Sequence, residues 1–255
     1  MDPARYRVNA VDRAIDLLMA FTPEDADLSL AELASRTHLS KPTAFRLIAT
    51  LRLRGLITQE TKSGRYRLGF EILPIAAACQ VDLRERAIPI MTVLRDEVNE
   101  TVILDVRQGQ ERITVHALES RQPVRRAAST GDRRDLYRGA SSKVLLSALN
   151  EEELTAFLGR LPAAIRIDGK RYRNDVVAAR SSGWADSQNE RNEGGASVSA
   201  AVRDRNGAIE AAMQIAAPAT RFTKELHDRT LAGVVAAASA LSTELGYRPA
   251  AVRSL

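Results

Sequence analysis

Eight cations crowd one stretch of the chain: Arg36, Lys41, Arg46, Arg52, Arg54, Lys62, Arg65 and Arg67, with Glu60 the one acid between Arg36 and Leu68. Met1–Ser35 runs the other way, with three Arg against seven Asp or Glu. A local basic excess of this kind suits a polyanion, although charge alone fits a solvated surface equally well. Single-stranded nucleic acid is disfavoured, because the stretch offers just Phe45 and Tyr66 for base stacking. Catalytic chemistry has little to draw on. His38, His116 and His227 include no pair at metal-ligand spacing, and no G-x-S-x-G or phosphate-cradling glycine motif occurs. His116 reads as a packed strand residue. Glu190 and Glu193 share a loop, with nothing to show them converging on a substrate. The single cysteine, Cys79, excludes an internal disulfide and a cysteine-based zinc cluster, and reads best as a buried thiol on a linker helix. The expectation is no enzyme, no metal and no cofactor. The competing reading is a small-molecule-metabolising enzyme whose N-terminal domain serves dimerisation.

The cations need elements to aim them. "VDRAIDLLMAF" puts Val11, Ala14, Ile15, Leu18 and Met19 on one face of an amphipathic helix. Ser29 caps a short second helix, "LAELASRT", with Glu32 completing a capping box. After the turn "HLS", Ser40 caps a third helix, Pro42 lies in its first turn and Gly55 ends it. Ala44, Leu47, Ile48 and Leu51 form its core stripe, leaving Lys41, Pro42, Thr43, Arg46 and Thr50 off the stripe. Two short strands about "TKSG" make a hairpin. Three helices and a hairpin are the order of a winged helix-turn-helix domain, whose third helix enters the major groove of double-stranded DNA at its N-terminal end. Arg46 is a candidate for guanine or phosphate, Lys62 for backbone, and Arg65 at the wing for the minor groove.

With 255 residues, 45% hydrophobic and 27% charged, the chain has material for one large or two smaller globular domains. No apolar run reaches the roughly 18–20 residues of a membrane span, and the N-terminus has no signal-peptide core, so a cytoplasmic protein is expected. Residues 70–99 read as helix broken near Pro74 and before Pro89. Beyond them "ETVILDV" and "ERITVHALE" form a hairpin, "PVRRAAS" is a third strand candidate, and "SSKVLLSAL" and "EEELTAFLGRL" are helices, the second capped by Asn150. "NDVVAARSSG" reads as a helix capped by Asn174 and stopped by Gly183. "WADSQ", "ASVSAAVRD" and "AIEAAMQIAA" are strands, and Thr223 opens a final helix. The pattern is α+β, on an antiparallel sheet.

"VDRAIDLLMAF", "LSLAELASRTHLSKPTAFRLIATLRLRGLI" and "GRYRLG" resemble the N-terminal domain of the IclR family of bacterial transcription regulators. "LRERAIPIMTVLRDEVNETVIL", "GASSKVLLSAL", "NEGGASVSAAVRD" and "APATRFT" resemble its effector domain in order and spacing. The resemblance implies a winged helix-turn-helix domain over 1–69, a linker helix over 70–81 and a GAF-like effector-binding domain over 82–255. It also implies a homodimer or homotetramer on a near-palindromic operator. Two positions depart from the family: Pro42 replaces a usual Ser and Phe45 a usual His. Phe45 is expected to pack under the wing, or else to touch a thymine methyl. By alignment the effector pocket falls on Leu136, Ala140, Ser141, Ser187, Gly195, Ser197, Gln214 and Ala216. Gly195 replaces a larger residue and should enlarge the cavity. The neutral polar groups, and a helix start near Ser141, suggest a small organic acid or amide, with an aromatic ring allowed. Of the series Arg121, Arg125, Arg126, Arg133, Arg134 and Arg138, most should be solvated or paired with Glu119, Asp132 and Asp135, with one free to meet an anion.

Overall fold

A computed structural model of the chain describes residues 7–22, 25–78, 81–161, 168–191 and 193–248, so Cys79 lies outside the described residues. The chain divides into two compact units, Met1–Val81 and Asp82–Leu255.

In the first unit α1 (Asn9–Met19), α2 (Leu30–Arg36) and α3 (Lys41–Leu53) are followed by a hairpin of β1 (Ile57–Gln59) and β2 (Tyr66–Leu68), then α4 (Ile72–Ala78). Local chemistry sets the boundaries. The Ser29 hydroxyl accepts from the Glu32 amide while the Glu32 carboxylate accepts from the Ser29 amide at 2.7 Å. Ser40 accepts from the Thr43 amide, and Pro42 follows in the first turn of α3. Gly69 is required by crowding: a Cβ there would lie 1.9 Å from the Gly55 carbonyl oxygen. Leu17, Leu33, Ala44, Ile48, Leu51 and Ile57 form the core. On α1 the expected face is only partly inward. Ala14, Leu17 and Leu18 pack against α2 and α3, whereas Val11, Ile15 and Met19 are exposed and, with Val8, make an apolar stripe on the outer side of the helix. Neither proline breaks its helix. Pro74 sits in the first turn of α4, where no amide is needed. Pro89 lies inside α5 (Val81–Val98), which buries Leu83, Ala87, Met91, Leu94 and Val98 on both sides of it and so stays continuous.

The second unit is built on a six-stranded antiparallel sheet in the order β5-β4-β3-β8-β7-β6. The strands are β3 (Thr101–Gln108), β4 (Glu111–Leu118), β5 (Arg133–Asp135), β6 (Trp184–Gln188), β7 (Gly195–Arg203) and β8 (Ile209–Pro218). Strand alternation sorts the side chains into two layers. Val102, Leu104, Val198, Ala200, Met213 and Ile215 face α5 and the final helix α9 (Lys224–Glu244). The opposite face carries Ile103, Ser197, Gln214 and Ala216, and is covered by α6 (Ala140–Leu146) and α8 (Gly169–Ser182); α7 (Glu151–Gly159) packs on these helices. The architecture is therefore α+β, as read from the strand and helix order.

Two elements differ from the sequence reading. "PVRRAAS" forms no strand: it is held to β3 by the Thr101 hydroxyl donating to the Arg126 carbonyl at 2.7 Å, and β5 forms later instead. Helix α8 begins five residues before Asn174, because the Asp168 carboxylate accepts from the amides of Lys170 and Arg171.

Candidate functional site

In the first unit the eight cations separate into two groups. Arg36 pairs with Asp25 at 2.8 Å, Arg65 with Asp27 at 2.8 Å and Glu32 at 2.9 Å, and Arg67 with Asp27 at 3.1 Å. Lys41, Arg46, Arg52, Arg54 and Lys62 are exposed and have no carboxylate partner among the described residues. The unneutralised charge thus lies along α3 and at the hairpin turn. Pro42 and Thr50 are exposed beside it, and Thr43 is half-buried with its oxygen 2.8 Å from the Ser40 hydroxyl. The Thr50 hydroxyl donates to the Arg46 carbonyl at 3.2 Å.

One expectation is corrected here, that for Phe45, and Arg65 is paired rather than free, its side chain 35% exposed. Its guanidinium also donates to the Asp27 carbonyl at 2.9 Å, so it lashes β2 to the start of α2. Arg67 and then Arg65 hold the Asp27 carboxyl below its ordinary value, and the capping contacts with Ser29, together with Arg65, do the same for Glu32. Sequence reasoning treated Asp27 only as contrast to the basic stretch and Glu32 only as a partner in the capping box. Phe45 does not pack under the wing: it is 52% exposed, on the open side of α3 with Arg46.

In the second unit a cavity of about 50 Å³ lies on the α6 side of the sheet. Pairing register explains which residues meet there. Ser187 of β6 faces Ser197 of β7, which faces Ala216 of β8, and one row along Ile103 of β3 faces Gln214 of β8. Ser187, Gly195, Ser197, Gln214 and Ala216 all border the cavity. Leu136, Ala140 and Ser141 are fully buried and do not border it. The Ser141 hydroxyl donates to the Gln214 side-chain oxygen, and the Leu136 carbonyl accepts from the Tyr172 hydroxyl at 2.9 Å, so these positions brace the wall.

What the alignment missed is the other half of the lining. Arg112 and Thr114 of β4, Arg134 of β5, Arg126, and Arg191 from the β6–β7 loop all border the cavity. Their side chains help fill the space that Gly195 was expected to open. Alternation along β4, which places Arg112 and Thr114 on one face, is the signal that would have found two of them. Arg112 binds the fully buried Asp105 carboxylate, which also accepts from Thr114 at 2.8 Å. Arg134 pairs with Asp132 at 3.1 Å. Arg191 donates to the carbonyls of Asp135 and Arg138 at 2.8 and 3.0 Å, and its Nε is buried without a partner, as is the Nε of Arg112. Burial pushes the Arg191 guanidinium down to about 10, with Arg112 and Arg134 adding to the shift and Asp105 and Asp135 opposing it. Arg126 is lowered by burial and then by Arg134 and Arg112. The rest of the series lies away from the cavity: Arg125 pairs with Glu119, Arg133 with Glu111 and Arg121 with Asp96, while Arg138 lies over the Tyr137 ring.

The helix start near Ser141 is not open to a ligand carboxylate. The Gly139 amide, at the N-cap of α6, donates to Glu190 at 3.2 Å, and Glu190 is clamped by Lys143 at 2.5 Å. Lys143 also meets Asp175 at 2.9 Å. This clamp fixes the loop that carries Arg191. A wider open groove of about 960 Å³ runs beside α8, between Tyr137, Trp184 and His227, and shares Ser187 with the cavity. The cavity is the stronger candidate, because it gathers the aligned positions and the unpartnered guanidinium nitrogens. Among the described residues no three His, Cys, Asp or Glu side chains converge as metal ligands.

The comparisons with known proteins divide the chain in the same order. Residues 10–61 match the family model described as the IclR helix-turn-helix domain, and residues 75–243 match that described as the bacterial transcriptional regulator IclR C-terminal domain. The HTH-type transcriptional regulator KipR of Bacillus subtilis is 30% identical over 227 residues, covering 86% of this chain and 90% of that protein. The HTH-type transcriptional repressor AllR of Salmonella typhimurium is 27% identical over 253 residues, covering 96% of this chain and 93% of that protein. A crystal structure of an IclR homologue from Microbacterium hydrocarbonoxydans, complexed with 4-hydroxybenzoate, superposes with a TM-score of 0.82 at 21% identity, covering 92% of this chain and 98% of that one.

Proposed function

The chain belongs to the IclR family of bacterial transcriptional regulators, and on that premise we propose that it represses a catabolic operon until a small organic acid or amide, aromatic or aliphatic, binds in its second unit. The observation that carries this reading is the unneutralised basic face of α3, with Lys41 and Arg46 free of any carboxylate among the described residues. Such a face is what a recognition helix needs to meet phosphates and guanine edges in double-stranded DNA. Pro42, Thr43, Phe45 and Thr50 then face base edges and Lys62 the backbone, while Arg65 holds the wing in place. The repressor sense draws on AllR, and the acid on the homologue solved with 4-hydroxybenzoate.

The apolar stripe of Val8, Val11, Ile15 and Met19 supports self-association, as a homodimer or homotetramer. A two-fold dimer calls for a near-palindromic operator with half-sites about one helical turn, roughly 34 Å, apart. The effector acts by binding one arrangement of the assembly better than the other; without that difference it shifts nothing. A DNA partner supports a cytoplasmic location. Among the described residues no helix is long and apolar enough to cross a membrane. We assign no catalytic step. His227 stands 3.2 Å from both Asp186 and Asp228, but no hydroxyl or thiol is hydrogen-bonded to it among the described residues. Sequencing the genomic fragments that the purified protein retains tests the reading. It expects one enriched near-palindrome beside catabolic genes; random fragments would contradict it.

A further inference from the structure

The cavity of the second unit carries more positive charge than its own fold uses. Four guanidiniums border it: Arg112, Arg126, Arg134 and Arg191. The carboxylates in direct contact with them are two, Asp105 on Arg112 and Asp132 on Arg134. Asp135 stands exposed near Arg191 and is hydrogen-bonded to the Tyr137 hydroxyl. Two of the four, Arg126 and Arg191, therefore have no carboxylate partner among the described residues.

Arg112 and Arg134 stand opposite each other across the β4–β5 pair, each with its own carboxylate, so the charge left uncompensated is that of Arg126 and Arg191. The Arg112 side chain is 7% exposed and its buried Nε has no acceptor; the same holds for the half-buried Arg191 Nε. A buried donor without a partner is a standing penalty that a ligand oxygen removes. Burial lowers the proton affinity of both Arg126 and Arg191, and the neighbouring guanidiniums of Arg112 and Arg134 lower it further.

We infer that the effector is a compact dianion, held by Arg126 and Arg191 with Arg112 and Arg134 behind them. Ser187, Ser197 and Gln214 supply the neutral hydrogen bonds that orient it. Two carboxylates or one phosphate would meet the charge requirement. This inference rests on the reading of the second unit as an effector domain and narrows its ligand class from acid or amide to dianion.

Isothermal titration of the full chain at fixed ionic strength tests it, with succinate, inorganic phosphate, butyrate and succinamide as probes. The expected result is that succinate or phosphate binds at least tenfold more tightly than butyrate or succinamide, and the two dianions separate the carboxylate from the phosphate source. Arg126→Gln and Arg191→Gln, each checked for an unchanged circular dichroism spectrum, should bring that ratio to within about threefold of unity. Equal affinity for butyrate and succinate, no binding of either dianion, or a preference that survives both substitutions would overturn the inference. DNA release by butyrate or succinamide without any response to the dianions would leave the regulator reading standing and remove only this one. Loss of DNA binding altogether would strike that reading and leave the titration result intact.

Discussion

Arg46 and Arg65 differ by nineteen positions and look alike in composition, yet their surroundings give them different work. Arg46 is exposed and free of carboxylates among the described residues, whereas Arg65 is bound to Asp27 and Glu32. Replacing Arg46 with Ala should therefore weaken operator binding across sequences and reduce the slope of log affinity against log salt by about one. Gel-shift titrations at several salt concentrations check this; unchanged slopes would remove Arg46 from the interface. Phe45 is the residue at which family comparison and structure meet. A ring 52% exposed beside Arg46 has no core to serve, which favours contact with a thymine methyl over packing. The core stripe of α3 was legible in the spacing, and Ala44, Ile48 and Leu51 are buried with Leu47 half-buried. The pairing of Arg65 was not legible, because Asp27 is 38 positions away in the chain.

Among the elements, helix caps were the most legible feature. Ser29, Ser40, Asn150 and Thr223 each accept a hydrogen bond from an amide at most three residues on, so the signal is local. Burial and pairing were less so. The outer face of α1 and the missing strand at "PVRRAAS" depend on what lies opposite, which periodicity does not encode. Arg126 and Arg134 stood out already in the arginine series, but Arg112 and Arg191 were hidden for the same reason: β4, β5 and the β6–β7 loop meet only through sheet register. The lashing of β2 to α2 has a pH signature. The folded carboxyls of Asp27 and Glu32 lie below their ordinary values, so their contribution is complete above the usual carboxylate range. It is lost as pH falls through the lowered folded values. Acid titration of the full chain, followed by circular dichroism, should show the first unit's helices melting at a higher pH in Asp27→Asn than in the wild type. Coincident midpoints would show that the lashing contributes nothing.

Across the second unit, the start of β3 is tied to the loop before α9 by a buried ion pair. Glu100 is 1% exposed, and both its oxygens accept from Arg221, at 3.0 and 2.9 Å. Arg221→Ala leaves that carboxylate buried and unpaired, and should destabilise the unit by about 3 kcal/mol in urea unfolding. A loss below about 1 kcal/mol would mean that water reaches Glu100 and solvates it. On the proposed reading the molecule joins an effector-binding unit to a DNA-reading one, and regulation requires that occupancy of one change the affinity of the other. The most direct measurement is fluorescence anisotropy of the retained operator duplex, titrated with the full chain in the absence and presence of saturating ligand from the calorimetric series. The account expects the apparent dissociation constant to rise by about fivefold or more with ligand bound. The same constant with and without a ligand shown to occupy the protein would contradict it.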